Sequence, residues 1–191
     1  MSELARLVEE HLADALAKGR ARGTVAYRRV YLSQLLTWLE ARAIVRARLV
    51  TPRVLAEYLV YLIARKTTYN RSEPTNLSVK TLAAEASVLR SFFRWLAAKR
   101  VVLFDPAKHL ALGDRTQPLP KAVLTEAEVR MLLRAPRHDL LGLRDRAIFE
   151  TPYSTGLRRA ELCALDLYDV DPANELVRVR QGKGGRDRVV P

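Results

Sequence analysis

Tyr153-Ser-Thr-Gly-Leu-Arg-Arg-Ala-Glu-Leu162 stops one helix and starts another. Thr155 and Gly156 make a tight break, and Leu157, Arg158, Glu161, Leu162 and Leu165 then recur at helical spacing. Arg158 therefore opens a helix with Glu161 three residues on, on the same side, where a carboxylate can orient a guanidinium. An arginine fork offers paired donors to two phosphate oxygens. The same pair on an ordinary helix is a surface ion pair, so its meaning depends on what surrounds it.

Downstream, the turn Asp171-Pro-Ala-Asn174 leads into the alternating run Leu176-Val-Arg-Val-Arg180, then Gln181-Gly-Lys-Gly-Gly185 and Arg186-Asp-Arg-Val-Val190. That pattern predicts a β-hairpin with Lys183 at its tip between glycines. A lysine there either stays solvated or reaches a ligand, where its ammonium can protonate a departing alkoxide. A phosphate-loop reading fails, because no glycine stands five residues before Gly182 and no Ser or Thr follows Lys183.

Upstream, Thr125-Glu-Ala-Glu128 is a capping box before Val129, Leu132 and Leu133. A second helix is expected from about Leu141 to Tyr153, with Pro152 kinking or shortening its end. The stretch Gly113-Asp-Arg-Thr-Gln-Pro-Leu-Pro120 has the composition of a linker, which places domains at 1–112 and 122–191 joined by 113–121.

The first domain reads as four helices. Ser2 caps a segment with Leu4, Leu7, Val8, His11, Leu12, Ala15 and Leu16 on one face, ended by Gly19. The next starts at Thr24 with Tyr27, Tyr31, Leu35, Trp38 and Leu39 inward. Thr51-Pro52 opens a third with Leu55, Tyr58, Leu59, Leu62 and Ile63 inward, and Lys66 to Asn76 is a polar loop. Ser78 opens the fourth, with Leu82, Ala86, Leu89, Phe93 and Leu96 as its core stripe, and a short helical piece is expected from Pro106 toward Leu112. At ~100° per residue the outer faces carry Ala26, Arg29, Ser33 and Thr37 on the second helix and Lys80, Ala83, Ala84, Ser87, Ser91 and Arg94 on the fourth. Small and basic side chains let a helix approach a phosphate backbone closely, and Arg29, Lys80, Ser87 and Arg94 are the expected DNA contacts.

Composition agrees with a polyanion partner. The 191 residues hold 33 Lys+Arg against 21 Asp+Glu, a formal net charge of +12. The excess sits in residues 1–112, with 19 basic and 9 acidic side chains, against 14 and 12 in residues 113–191. Cys163 is the single cysteine, which excludes an intramolecular disulfide, and the start Met1-Ser2-Glu3-Leu4 lacks the pattern of a signal peptide, so a cytoplasmic location is expected. No apolar run approaches the ~18 to 20 residues that span a bilayer. His11, His109 and His138 are too scattered in sequence to suggest a zinc site.

The ordered set Leu143-Arg-Asp-Arg-Ala147, Tyr153 to Leu162, Asp169-Val-Asp171 and Val179 to Pro191 strongly resembles the first half of the catalytic domain of tyrosine recombinases, the phage integrase family, in its bacterial Xer-like branch. Upstream, Thr24, Tyr27, Tyr31, Trp38-Leu39, Leu89-Arg-Ser-Phe-Phe-Arg-Trp-Leu96, Asp105-Pro-Ala107 and Leu119-Pro120 with Leu124 to Glu128 resemble that family's helical core-binding domain and linker. The resemblance implies a mostly α chain, a four-helix SAM-like bundle followed by part of an α+β catalytic domain. It implies site-specific DNA strand exchange without metal or nucleotide cofactor. A tyrosine would attack the scissile phosphate, Arg158 would be the first catalytic arginine, Glu161 its supporting acid, and Lys183 the lysine that assists departure of the 5′ oxygen. Double-stranded DNA and full-length recombinase subunits are the implied partners, with no membrane and no small-molecule substrate.

The family pattern would continue past Pro191 with His-x-x-Arg and a late nucleophilic tyrosine. The 191 residues contain no His-x-x-Arg, and Tyr27, Tyr31, Tyr58, Tyr61, Tyr69, Tyr153 and Tyr168 all stand at other positions of the pattern. The chain is thus expected to be cut short within the catalytic domain, monomeric in solution, inactive alone, and to expose apolar surface where that domain is half built. The alternative is a non-catalytic duplex-binding module that regulates a recombinase. An RNA-associated structural protein is disfavoured, because neither an aromatic-faced sheet nor a Gly-x-x-Gly clamp is present.

Overall fold

The computed structural model describes residues 2–67, 73–110, 123–180, 182 and 185–191. The chain divides into two compact units, Met1–Gln117 and Pro118–Pro191. The expected linker 113–121 lies outside the described residues.

The first unit is built on α1 (Glu3–Ala17), α2 (Arg22–Glu40), α3 (Pro52–Ala64) and α4 (Val79–Ala98). The Ser2, Thr51 and Ser78 hydroxyls accept from the backbone N–H groups of Ala5, Val54 and Thr81, so three of the four starts carry the side-chain cap that the sequence predicts. The α1 terminus is likewise as expected, with Gly19 at φ +74°. Leu12, Leu32, Leu35, Leu39, Leu55, Tyr58, Leu62, Leu89, Phe92, Phe93 and Leu96 are fully buried together. All five stripe residues predicted on α4 lie in this core.

On α1 to α3 most of the expected inward residues are also buried, with departures at single positions. On α2, which begins two residues early, Val25 and Leu32 face inward, Tyr27 is exposed and Tyr31 half-buried. A tyrosine at a helix edge keeps its hydroxyl in water while a β-branched or leucine side chain fills the interior. Leu16 and Ile63 end helices and stand about half exposed. Two further corrections concern connections. Lys66–Thr67 (β1) pairs antiparallel with Thr75–Asn76 (β2) inside the segment expected to be loop. The described residues after Pro106 form turns rather than a helix, although Ala107 and Leu110 still close the core.

The second unit contains α5 (Glu126–Arg134), α6 (Leu140–Thr155), the single turn α7 (Arg159–Leu162) and a three-stranded antiparallel sheet in the order β3 (Val170–Asp171), β4 (Leu176–Val179), β5 (Arg188–Val190). The Thr125–Glu128 capping box forms as predicted. Pro152 neither ends nor shortens α6. Beyond it the Ser154 hydroxyl donates to the Glu150 carbonyl at 2.9 Å and the Gly156 N–H to the Pro152 carbonyl at 2.9 Å, which carries the helix on to Thr155. The helix after Gly156 is one turn long, so Leu165 lies beyond it. The predicted hairpin is β4–β5, in register Val177↔Val190 and Val179↔Arg188. No helix among the described residues is long and apolar enough to cross a membrane.

Candidate functional site

In the second unit the chain leaves α6 through Gly156, whose φ of +65° is a left-handed conformation that glycine adopts without strain. Leu157 turns inward, and Arg158, in extended conformation, caps α7. Glu161 reaches back. Its Oε2 accepts the Arg158 backbone N–H at 2.9 Å, and its Oε1 accepts Nη1 of the same arginine at 3.0 Å. The carboxylate side chain is 6% exposed while that of Arg158 is 56% exposed, so a buried acid holds a guanidinium that still faces solvent.

The same carboxylate takes a second, two-point grip from β5. Arg188 donates Nη1 to Oε1 at 2.9 Å and Nη2 to Oε2 at 2.6 Å. These bonds from Arg188, together with the Arg158 N–H, hold the Glu161 carboxyl far below the usual carboxylate range. A parallel arrangement fixes the other hairpin strand. Asp169 accepts the Asp166 N–H at 2.9 Å and Arg180 Nη2 at 2.7 Å, and its carboxyl is lowered by those two bonds. Each acid closes a tight helical turn and receives an arginine at the hairpin. Two nearly buried carboxylates therefore anchor the hairpin: Glu161 ties β5 to the turn that presents Arg158, and Asp169 ties the residue after β4 to the turn at 167–169.

The hairpin turn is packed against this cluster. The Gly182 N–H donates to the Arg186 carbonyl at 3.0 Å, and the Gly185 N–H, at φ +71°, to the Gly182 carbonyl at 2.8 Å. A Cβ on Gly182 would lie 2.9 Å from Arg188 Nη1 and 3.1 Å from Glu161 Oε1, so only glycine lets the turn come this close. Lys183 lies outside the described residues.

In the first unit the four expected DNA-contact residues separate. Ser87 and Arg94 line one cleft of about 560 Å³ together with residues of α1, α2 and α4, among them Arg28, Arg90 and Ser91. Arg29 is paired with Glu9 of α1. Lys80 is exposed in the first turn of α4 and does not line that cleft. His11 forms part of the cleft wall, 4% exposed, edge-on to Phe92 and Trp95, with neither ring nitrogen hydrogen-bonded. Burial, reinforced by the charge of Arg28, lowers its pKa to about 4, so it is neutral at pH 7.

Sequence reasoning missed Arg188, Arg180, Asp169 and Arg28. Arg188 stands 27 residues from its partner in a short strand that reads by alternation as ordinary. The one sequence signal for it was Gly182, whose lack of a side chain marks a close approach.

Residues 122–191 match the sequence profile of the phage integrase family, and the chain is similar over its length to tyrosine recombinases. Its relatives include tyrosine recombinase XerC 2 of Ralstonia nicotianae, 38% identical over 98% of this chain and 53% of that protein. Tyrosine recombinase XerC of Chromobacterium violaceum is 37% identical over 100% of this chain and 58% of that protein. The chain spans little more than half the length of these curated relatives. Among solved structures, its fold is similar to that of a lambda integrase dimer bound to a COC′ core site, with a TM-score of 0.70 at 15% identity, covering 100% of this chain and 62% of that one. The N-terminal domain of a phage integrase/site-specific recombinase from Haloarcula marismortui covers 59% of this chain and 97% of its own, with a TM-score of 0.50 at 22% identity.

Proposed function

We propose that this chain forms the duplex-binding part and the first catalytic part of a site-specific DNA recombinase that works in the cytoplasm on double-stranded DNA together with other recombinase subunits. The observation that carries the reading is the Glu161 carboxylate, which fixes the exposed Arg158 fork on one side and receives Arg188 on the other. A guanidinium held this way is oriented before a phosphodiester arrives and loses little freedom on binding it. In this reading Arg158 binds the non-bridging oxygens of the scissile phosphate, Glu161 positions it, and Lys183, carried by the hairpin that Glu161 and Asp169 anchor, serves the leaving oxygen. The basic bundle supplies phosphate contacts through Ser87, Arg94 and Lys80, in keeping with lambda integrase, whose structure is a dimer on a core site.

A second reading is favoured by one observation, that the basic bundle has a complete core of its own. On that reading the polypeptide is a non-catalytic duplex-binding module that competes with a full-length recombinase at its site.

One experiment addresses both. The 191-residue polypeptide is incubated with labelled duplex DNA and with single-stranded RNA of the same sequence, and then denatured. Preference for the duplex without a covalent protein–DNA adduct is expected, because the sequence holds no His-x-x-Arg. A covalent adduct would contradict the inactivity of this polypeptide, and preference for RNA would contradict both readings.

A further inference from the structure

We infer that Arg188 is a positioning residue for Arg158: by filling the acceptor sites of Glu161 with a two-point grip of its own, it confines Arg158 to a single side-chain bond and leaves the rest of that fork free for a phosphodiester. This rests on the reading of Arg158 as a phosphate-binding group.

A carboxylate offers about four lone-pair sites, two on each oxygen. At Glu161 all are taken. Oε1 accepts Arg158 Nη1 at 3.0 Å and Arg188 Nη1 at 2.9 Å, and Oε2 accepts the Arg158 backbone N–H at 2.9 Å and Arg188 Nη2 at 2.6 Å. Nothing on this acid is left for Arg158 Nε or Nη2. An arginine alone beside a carboxylate favours two parallel bonds, which would turn the fork of Arg158 onto Glu161 and away from a ligand. Arg188 holds that arrangement instead, with its side chain 33% exposed against 56% for Arg158. The inner arginine satisfies the acid, and the outer one faces solvent.

Charge and packing agree with this division of labour. One acid shared by two arginines leaves positive charge in excess at the solvent-facing group, as an anion requires. The Asp169 cluster has the opposite balance: Arg180 lies 2.7 Å from Asp169 and 3.9 Å from Asp166, so its charge is consumed in anchoring the hairpin. Arg188 is also backed by the hairpin turn. A Cβ on Gly182 would lie 2.9 Å from Arg188 Nη1, and the Gly182 N–H is tied to the Arg186 carbonyl at 3.0 Å, so the turn closes directly behind the guanidinium. The presentation of Arg158 therefore depends on β5 being in place.

The test is the rate at which phenylglyoxal, an arginine-specific reagent, modifies Arg158 in the 191-residue chain without DNA, read by peptide mass mapping for the parent protein, Arg188→Met and Arg188→Lys. In Arg188→Met the two-point grip passes to Arg158, whose modification is expected to slow about three- to fivefold, as one further charge-assisted bond at a partly exposed site would give. Arg188→Lys returns the charge but offers a point contact in place of a fork, so its rate is expected between those two. In a Glu161→Gln background, Arg188→Met should leave the Arg158 rate within about twofold, because the shared acceptor is gone. A merely structural role would loosen the second unit and speed the reaction of Arg158 together with Arg159 and Arg178. Acceleration or no change at Arg158 in Arg188→Met, or a slowing that persists in the Glu161→Gln background, overturns the positioning role. Repeating the parent measurement with saturating duplex tests the underlying reading separately. Protection of Arg158 is expected, and its absence overturns phosphate binding by Arg158 whatever Arg188 does.

Discussion

The two units hold themselves together by different means. In the first, 25 apolar residues from Leu4 to Leu110 form one buried cluster drawn from all four helices. In the second, Leu157 and Val179 are the buried apolar side chains among the described residues, while Met131, Leu140, Leu141, Leu143 and Tyr153 stand more than half exposed. Order there comes instead from caps and arginine–carboxylate pairs, at Thr125, Asp139, Glu161 and Asp169. Close packing gives the first unit a rigid surface for basic side chains, and polar pairs fix the direction of the charged groups around Arg158. The exposed apolar side chains of the second unit are those expected from the sequence of 122–191 as part of a catalytic domain.

The sharpest way to break this comparison is to open the bundle core. Leu89→Ala should destabilise the first unit by about 2 to 5 kcal/mol, read by chemical denaturation. Hydrogen exchange on the same chain should show α4 amides slowed by the global barrier and α6 amides exchanging much faster. Equal protection of α4 and α6 would erase the distinction.

Next in size is the acid response of His11. Its folded pKa of about 4 lies below the ordinary histidine value of 6.5, so the unfolded chain binds the extra proton between those values. Stability is therefore fully present above pH 6.5 and falls as the pH drops toward 4, by roughly 3 kcal/mol. His11→Leu should remove that slope. Glu85 acts in the opposite sense. It is fully buried, accepts the Tyr58 hydroxyl and leaves Oε2 unpartnered, and burial raises its carboxyl pKa. An acid raised in the folded state is destabilising once the pH rises above its ordinary value. Glu85→Gln should thus melt higher than the parent protein at pH 7, with the gap closing in acid.

The smallest expected effect on global stability, and the most local, belongs to the second unit. Arg188→Met should return the Glu161 carboxyl toward its ordinary range, read by carboxyl-carbon resonances through a pH titration, while the bundle's melting transition stays in place. A shift of the bundle transition would show that the polar pairs support more than their own unit.

The sequence made local chemistry legible wherever partners are close in the chain. The caps at Ser2, Thr51, Ser78 and Thr125 and the Arg158–Glu161 contact all join residues three apart. Period alone placed the core stripe of α4, yet it put Tyr27 and Tyr31 where Val25 and Leu32 are buried, because a wheel weighs an amphipathic ring as if it were wholly apolar. The wheel put Arg29 on the outer face of the second helix and left out Arg28, and the pairing of Arg29 with Glu9 on another helix could not be read from it. Arg188 was hidden for the same reason: its partner is brought in by the fold.

The most direct measurement is an equilibrium titration of the 191-residue chain with a mixed-sequence duplex at 50 and 200 mM salt. Binding through several phosphates predicts an affinity that falls steeply and linearly in log–log form, by about 0.9 per phosphate contact in slope. Affinity that does not change with salt, or no binding at all, would contradict the account.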